Sequence, residues 1–220
     1  MIAIDAGHGL KTAGKRIPKS LDAENTREWT LNSRIAEYVV DLLDRYGYDT
    51  IRVDDYTGET DVKLYKRVEK AHVHTCELYI SIHHNAGVGC EPKCVDCNHG
   101  GIVVYYYPST KKGSKNEEMA DRLATLAIAE TGLDGNRYDH TIATRGLYVI
   151  RKTKMPALLI ECGFMDSAHD VPIIKTDEHA RACARAIAQL CIEYCKPDKE
   201  VKEKCKCECG CEVCAGCVEG

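Results

Sequence analysis

Three short polar clusters, each placed directly after an apolar run, carry the residue types that do chemistry. Asp5-Ala6-Gly7-His8-Gly9 follows the first run, Ser81-Ile82-His83-His84-Asn85-Ala86 the second, and Glu161-Cys162-Gly163-Phe164 the third. Two imidazoles and a carboxylate delivered from separate segments make the donor set of a catalytic zinc: borderline-soft nitrogens, one hard oxygen, and a coordination position left for water. Plainer readings stand beside this one. His8 between two glycines is also an ordinary turn histidine. His83 and His84 compete, because on a strand they face opposite ways. Glu161 ends an apolar run, so it is either functional or held in a buried salt bridge with a residue such as Arg145. Cys162 offers a thiol beside it, but strand alternation turns that thiol to the other face.

The elements that must position these groups alternate in type. Short apolar runs at 2–5, 50–53, 78–82, 101–107, 147–150 and 157–160 read as strands. Helical spacing appears in 28–46, where Leu31, Ile35, Val39, Leu42 and Leu43 share a face and Gly47 stops the helix. It recurs in 62–71, 117–131 and 178–194. This alternation predicts an α/β fold: a mostly parallel, twisted sheet of about six strands with helices on both faces. Function in such sheets gathers at the carboxyl ends of the strands, where the three clusters lie.

With these pieces in order, the chain resembles the zinc-dependent N-acetylmuramoyl-L-alanine amidases of the Amidase_3 family. The matching segments are 5–9, Glu28 with Asn32 four residues later, 81–86, and Met155-Pro156 through Phe164. Arg67 and Leu147-Tyr148-Val149 also fit. Ser167 stands where the family usually has Asn, and 90–99 is an unusual cysteine-bearing insertion. The resemblance implies that His8, Glu28 and His83 hold Zn2+ and that Glu161 is the catalytic carboxylate. The bond cut would be the amide between N-acetylmuramic acid and L-alanine in bacterial peptidoglycan, the expected partner. Glu28 has a structural alternative, a capping pair with Asn25, and Glu24 is a rival carboxylate. A zinc peptidase or deacylase acting on another amide, and a thiolate metal-binding protein on an inactive amidase fold, are the competing functions.

Composition narrows the rest. At about 150 residues per domain, 220 residues make one domain and a remainder. Lys and Arg number 30 against 34 Asp and Glu, so there is no basic excess for a nucleic-acid backbone. No uncharged stretch reaches the ~18 residues of a membrane span. The start of the sequence shows no secretion signal, so the expectation is synthesis in the cytoplasm and action on the wall after release, as for a phage endolysin. Nothing in the sequence sets the oligomeric state. Of 14 cysteines, six (Cys205, Cys207, Cys209, Cys211, Cys214, Cys217) crowd the last sixteen residues, and from Lys196 onward there is no aromatic residue, Leu or Ile. The boundaries expected are therefore 1–195 for the catalytic domain and 196–220 for a Cys-rich tail that cannot build a core. The tail's short spacings favour metal over disulfides, and Cys90, Cys94, Cys97 and His99 form a second candidate set. Cys76, Cys183, Cys191 and Cys195 read as small core residues.

Overall fold

A computed structural model of the chain describes residues 1–87, 99–108, 115–136 and 140–197. Twelve elements follow one another along them: β1 (Ile2–Ala6), α1 (Glu28–Arg45), β2 (Thr50–Arg52), α2 (Leu64–Val73), β3 (Leu78–Asn85), β4 (Val103–Tyr106), α3 (Lys115–Thr131), β5 (Ile142–Thr144), α4 (Tyr148–Lys152), β6 (Ala157–Phe164), α5 (Val171–Ile174) and α6 (Asp177–Tyr194). The six strands form one sheet in the order β2-β1-β3-β6-β4-β5. Every neighbouring pair is parallel except β4 with β6. The predicted mostly parallel six-stranded sheet is therefore present.

Period-two alternation divides the strand side chains between two layers. Ile4, Ile80, Ile82, Leu158 and Ile160 pack with the apolar stripes of α1, α3 and α6. Ala3, Tyr79, Val103 and Leu159 pack on the other face with Val68 of α2 and Val149 and Ile150 of α4. α6 begins where the Thr176 hydroxyl accepts from the His179 amide at 3.1 Å, satisfying one of the free donors of the first turn. Among the described residues no helix is long and apolar enough to cross a membrane.

One element differs in kind from the sequence expectation. Residues 147–150 are not a strand: Tyr148–Lys152 is a short helix closed by the Arg151 amide on the Leu147 carbonyl at 2.9 Å. Four consecutive apolar residues do not distinguish a strand from a buried helical turn, and here Val149 and Ile150 both reach the core from one turn. The sixth strand is instead Ile142–Thr144, half-buried at the sheet edge, where alternation is weak. Cys76, Cys183 and Cys191 are buried and Cys195 is half-buried, all as free thiols. The boundary expected at residue 195 would fall just after α6; Cys205–Cys217 lies outside the described residues, as do Cys90, Cys94 and Cys97.

Arg67, which the sequence alone leaves open as a surface residue, is 1 % exposed. Its guanidinium donates to Asp5 Oδ1 (2.6 Å), the Ala6 and His8 carbonyls (both 2.8 Å), Asp61 Oδ1 (3.0 Å) and the Val62 carbonyl (2.8 Å). Tyr79 and Ser81 hydroxyls donate to the other oxygen of Asp5 at 3.0 and 2.7 Å. Burial alone would raise the Asp5 carboxyl, but Arg67 and these donors hold it below its ordinary range. Arg67→Met strips a buried carboxylate of its counter-charge, a change that costs about 3–5 kcal/mol. Urea unfolding of the two proteins measures it, and a loss below about 1 kcal/mol contradicts the assignment.

Candidate metal centre and catalytic cleft

His8 leaves the carboxyl end of β1 with φ of 69°, a left-handed conformation rare outside glycine. The loop is fixed on both sides. Arg67 holds the His8 carbonyl, and the Gly9 amide donates to Thr12 Oγ1 at 3.0 Å, whose hydroxyl donates in turn to Asp61 at 2.7 Å. Gly7 must be glycine for space: a Cβ there would sit 2.1 Å from the His83 ring. Glu28 arrives from the opposite layer, as the first residue of α1, and is fully buried.

The capping alternative for Glu28 fails on geometry. The residue preceding α1 is Arg27, which makes no side-chain cap, while Asn25 is turned to left-handed φ of 54° and donates to the Ile17 carbonyl at 2.6 Å. Glu24 is an exposed carboxylate 3.3 Å from Lys175 and takes no part in the site.

His8, Glu28 and His83 converge, with their donor atoms all within 4.8 Å of one another. Glu28 Oε1 lies 3.3 Å from His8 Nε2 and 3.1 Å from His83 Nδ1, and the two imidazoles stand at 88° with centroids 4.9 Å apart. Glu28 Oε2 is buried without a hydrogen-bond partner, and Lys15 Nζ is 3.6 Å from it. Burial would raise the Glu28 carboxyl, but the imidazoles outweigh it and hold the group well below the ordinary carboxylate range. Burial likewise lowers His83, and Glu28 more than reverses that, leaving its pKa raised. Two nitrogens and an oxygen crowded at this spacing, with one carboxylate oxygen unsatisfied, fit a divalent cation of the zinc type.

His84 turns the other way, as alternation requires. Asn32 Nδ2 donates to the Gly7 carbonyl at 3.1 Å, which leaves its Oδ1 to accept from His84 Nδ1 at 2.8 Å. Burial and the neighbouring His179 push His84 down to about 3, so it is a neutral ring that fixes Asn32. Asn32 and the His84 amide both reach Glu28 Oε1, at 3.5 and 3.3 Å, and orient the carboxylate from behind.

Glu161 lies directly across from His83 in the β3–β6 register, on the same face of the sheet. Its Oε2 is buried without a hydrogen-bond partner. Burial pushes its carboxyl up to about 7; His83 opposes the shift and the negative Glu28 adds to it. The salt-bridge alternative is not realised: Arg145 is exposed and lies over the Tyr105 ring at 5.0 Å. Cys162 points into the opposite core layer, completely buried. His99 is engaged elsewhere, its Nε2 2.9 Å from Asp166.

Beside the two imidazoles opens a cleft of about 460 Å³, whose lining includes Val62, Lys63, Leu64, Leu147, Tyr148 and Leu159. Neither Lys15 nor this cleft announces itself in the sequence. Lys15 sits in an irregular loop with no periodicity, and the cleft is assembled from α2 and α4, far apart in the chain.

The Amidase_3 family, described as N-acetylmuramoyl-L-alanine amidase, matches residues 2–192. Among curated relatives, N-acetylmuramoyl-L-alanine amidase LytC of Bacillus subtilis is 28% identical over 193 residues, covering 88% of this chain and 35% of the relative. Probable cell wall amidase LytH of Staphylococcus aureus is 29% identical over 189 residues, covering 84% of this chain and 55% of the relative. The chain thus spans about a third to a half of these proteins. Among solved structures, the catalytic domain of CwlV, an N-acetylmuramoyl-L-alanine amidase from Bacillus (Paenibacillus) polymyxa, superimposes with a TM-score of 0.71 at 26% identity, over 88% of this chain and 96% of that one. With the profile, the relatives and the superposition all extending across the described sheet, the chain belongs to the Amidase_3 family.

Proposed function

We propose that the protein is a peptidoglycan amidase that hydrolyses the bond between the lactyl group of N-acetylmuramic acid and L-alanine, with residues 1–195 as its catalytic unit. The observation that carries this reading is the meeting of His8, Glu28 and His83 beside the unpartnered Glu161 in a chain of this family. His8, Glu28 and His83 would hold Zn2+. Bound there, the ion would polarise the amide carbonyl and lower the pKa of water.

The remaining work falls to the chain itself. Asn32 and His84 hold Glu28 in place, and the Arg67 contacts hold the His8 loop. The Glu161 carboxylate takes a proton from the attacking water and returns it to the departing L-alanine nitrogen. Its place directly across from His83, on the same face of the sheet, suits both halves of that transfer. The intact set of four residues speaks against an inactive amidase fold.

Digestion of purified peptidoglycan tests the reading. Zinc-loaded protein should release L-alanine amino termini without reducing sugar, and a chelator should abolish this. Glu161→Gln should keep its zinc and lose roughly 10²–10⁴-fold in turnover. Release of reducing ends overturns the bond assignment, and near-normal turnover by the variant overturns the role of Glu161.

The raised Glu161 pKa also sets a pH dependence of stability in the metal-free protein. Below pH 4.5, its ordinary value, the carboxyl carries its proton folded or unfolded and costs nothing. Between 4.5 and about 7 the unfolded chain releases the proton while the folded one retains it, so folding stability falls as pH rises. Above that window the penalty is constant. The stability advantage of metal-free Glu161→Gln over metal-free wild type should therefore grow across the window, by on the order of 3 kcal/mol, and then level off. Urea unfolding at stepped pH measures it, and a difference independent of pH contradicts the environment described for Glu161.

A further inference from the structure

We propose that residues 201–207 add to the free edge of β2 as a further strand, with Lys202, Lys204 and Lys206 laid over the exposed carboxylates of α1.

β2 opens the sheet order, and its strand partner among the described residues is β1 alone. The Ile2 amide donates to the Asp49 carbonyl at 2.8 Å and the Val53 amide to the Ile4 carbonyl at 3.0 Å, so residues 49, 51 and 53 turn their polar groups to β1. In a parallel ladder the amides and carbonyls of Thr50 and Arg52 then point outward, a template for another strand. The chain returns to this edge after α6. The hydroxyl of Tyr48, just before β2, lies 3.5 Å from the Ile192 carbonyl and 3.4 Å from the Cys195 carbonyl. From there residues 196–200 supply roughly 17 Å of extended chain, enough to reach the start of β2 and turn alongside it.

The side chains supply the register. Thr50 and Arg52 face α1, where a groove of about 480 Å³ also takes Glu37, Asp41, Asp44 and Asp49 into its lining. Glu37, Asp41 and Asp44 are exposed and follow one another at i, i+4 and i+7, so they form one stripe of α1. Asp41 pairs with Arg45 at 2.9 Å, and Glu37 accepts from the Ser33 hydroxyl at 3.1 Å. Arg52 is committed to Asp54 through two bonds of 2.8 and 2.6 Å, so the groove keeps an excess of negative charge. The segment Val201-Lys202-Glu203-Lys204-Cys205-Lys206-Cys207 places lysine at every second position. On a strand such residues share one face at intervals of about 6.6 Å, close to the roughly 4.5–6 Å of rise between successive carboxylates of the helix. Because β1 and β2 are parallel, α1 between them runs the opposite way. A strand leaving α6 and following β2 therefore sets Lys202 near Asp44, Lys204 near Asp41 and Lys206 near Glu37. Val201, Glu203, Cys205 and Cys207 fall on the other face, beside half-buried Ile51.

Hydrogen exchange of the full chain, with thiols kept reduced, tests this at the Thr50 and Arg52 amides. In wild type they should exchange about tenfold more slowly than in the variant Lys202→Glu, Lys204→Glu, Lys206→Glu, the protection that three exposed ion pairs can supply. High salt should erase the difference. Adding Glu37→Lys, Asp41→Lys and Asp44→Lys to that variant should restore slow exchange, because the pairs re-form with their signs exchanged. The Val53 amide, held by Ile4, should stay slow throughout and reports that the sheet is intact. Equal exchange at Thr50 and Arg52 in wild type and the lysine variant overturns the proposal. Protection that rises with protein concentration also overturns it, since the edge is then covered by a second copy of the chain. Zero-length carbodiimide coupling of the wild type gives an independent reading of the register. It should join Lys202 to Asp44 and Lys206 to Glu37 within one chain, and the reverse order, or no such link, contradicts the placement.

Discussion

The ion pair between Arg67 and Asp5 is the constraint on which the rest of the site depends. Both groups are almost completely buried, which is tolerable only because each is saturated with partners. From that fixed point the guanidinium reaches the carbonyls of Ala6 and His8, so the loop leaving β1 is tied to α2 as well as to the sheet. A left-handed histidine needs such over-determination, because its backbone conformation costs energy that the surrounding contacts must supply. Pre-paid in this way, His8 meets Glu28 and His83 without having to be ordered by a ligand.

Strand alternation does the remaining sorting. β3 sends His83 to the cleft and His84 to the core. Its neighbour β6 sends Glu161 to the His83 side and Cys162 to the core, in register with β3. Each adjacent pair therefore divides into one group on the candidate-site face and one in the core layer. His84, kept neutral by burial, holds Asn32, and Asn32 holds both the Gly7 carbonyl and Glu28. Glu28 and Glu161 show how environment separates two carboxyls. One is stabilised as an anion by two imidazoles, whereas the other is buried without a hydrogen bond on its inner oxygen and is pushed up to about 7.

Much of this was legible in the sequence where a pattern extended over many residues. The long helices α1 and α6 carry unbroken apolar stripes, and β1, β3 and β6 are apolar runs ending in polar clusters, so their type and the likeness of the chain to its family could be read directly. Residues 147–150 could not be read that way, since four apolar residues are compatible with a strand or a helical turn and only the packing of Val149 and Ile150 decides between them. Arg67 was legible as a motif residue but not as a buried one, because its partner Asp5 is 62 positions away. Lys15 was hidden for a related reason: a lone lysine in a loop has no period, and its neighbours are set by tertiary structure.

The proposed chemistry stands on His8, Glu28 and His83 together forming one metal centre. Anomalous diffraction at the zinc edge from zinc-loaded crystals tests it most directly. A peak is expected between these three side chains, with two imidazole nitrogens and one carboxylate oxygen at about 2.0–2.2 Å. A chain that crystallises with zinc only on cysteine sulfurs, at about 2.3 Å, and with no peak at His8, Glu28 and His83 would contradict it.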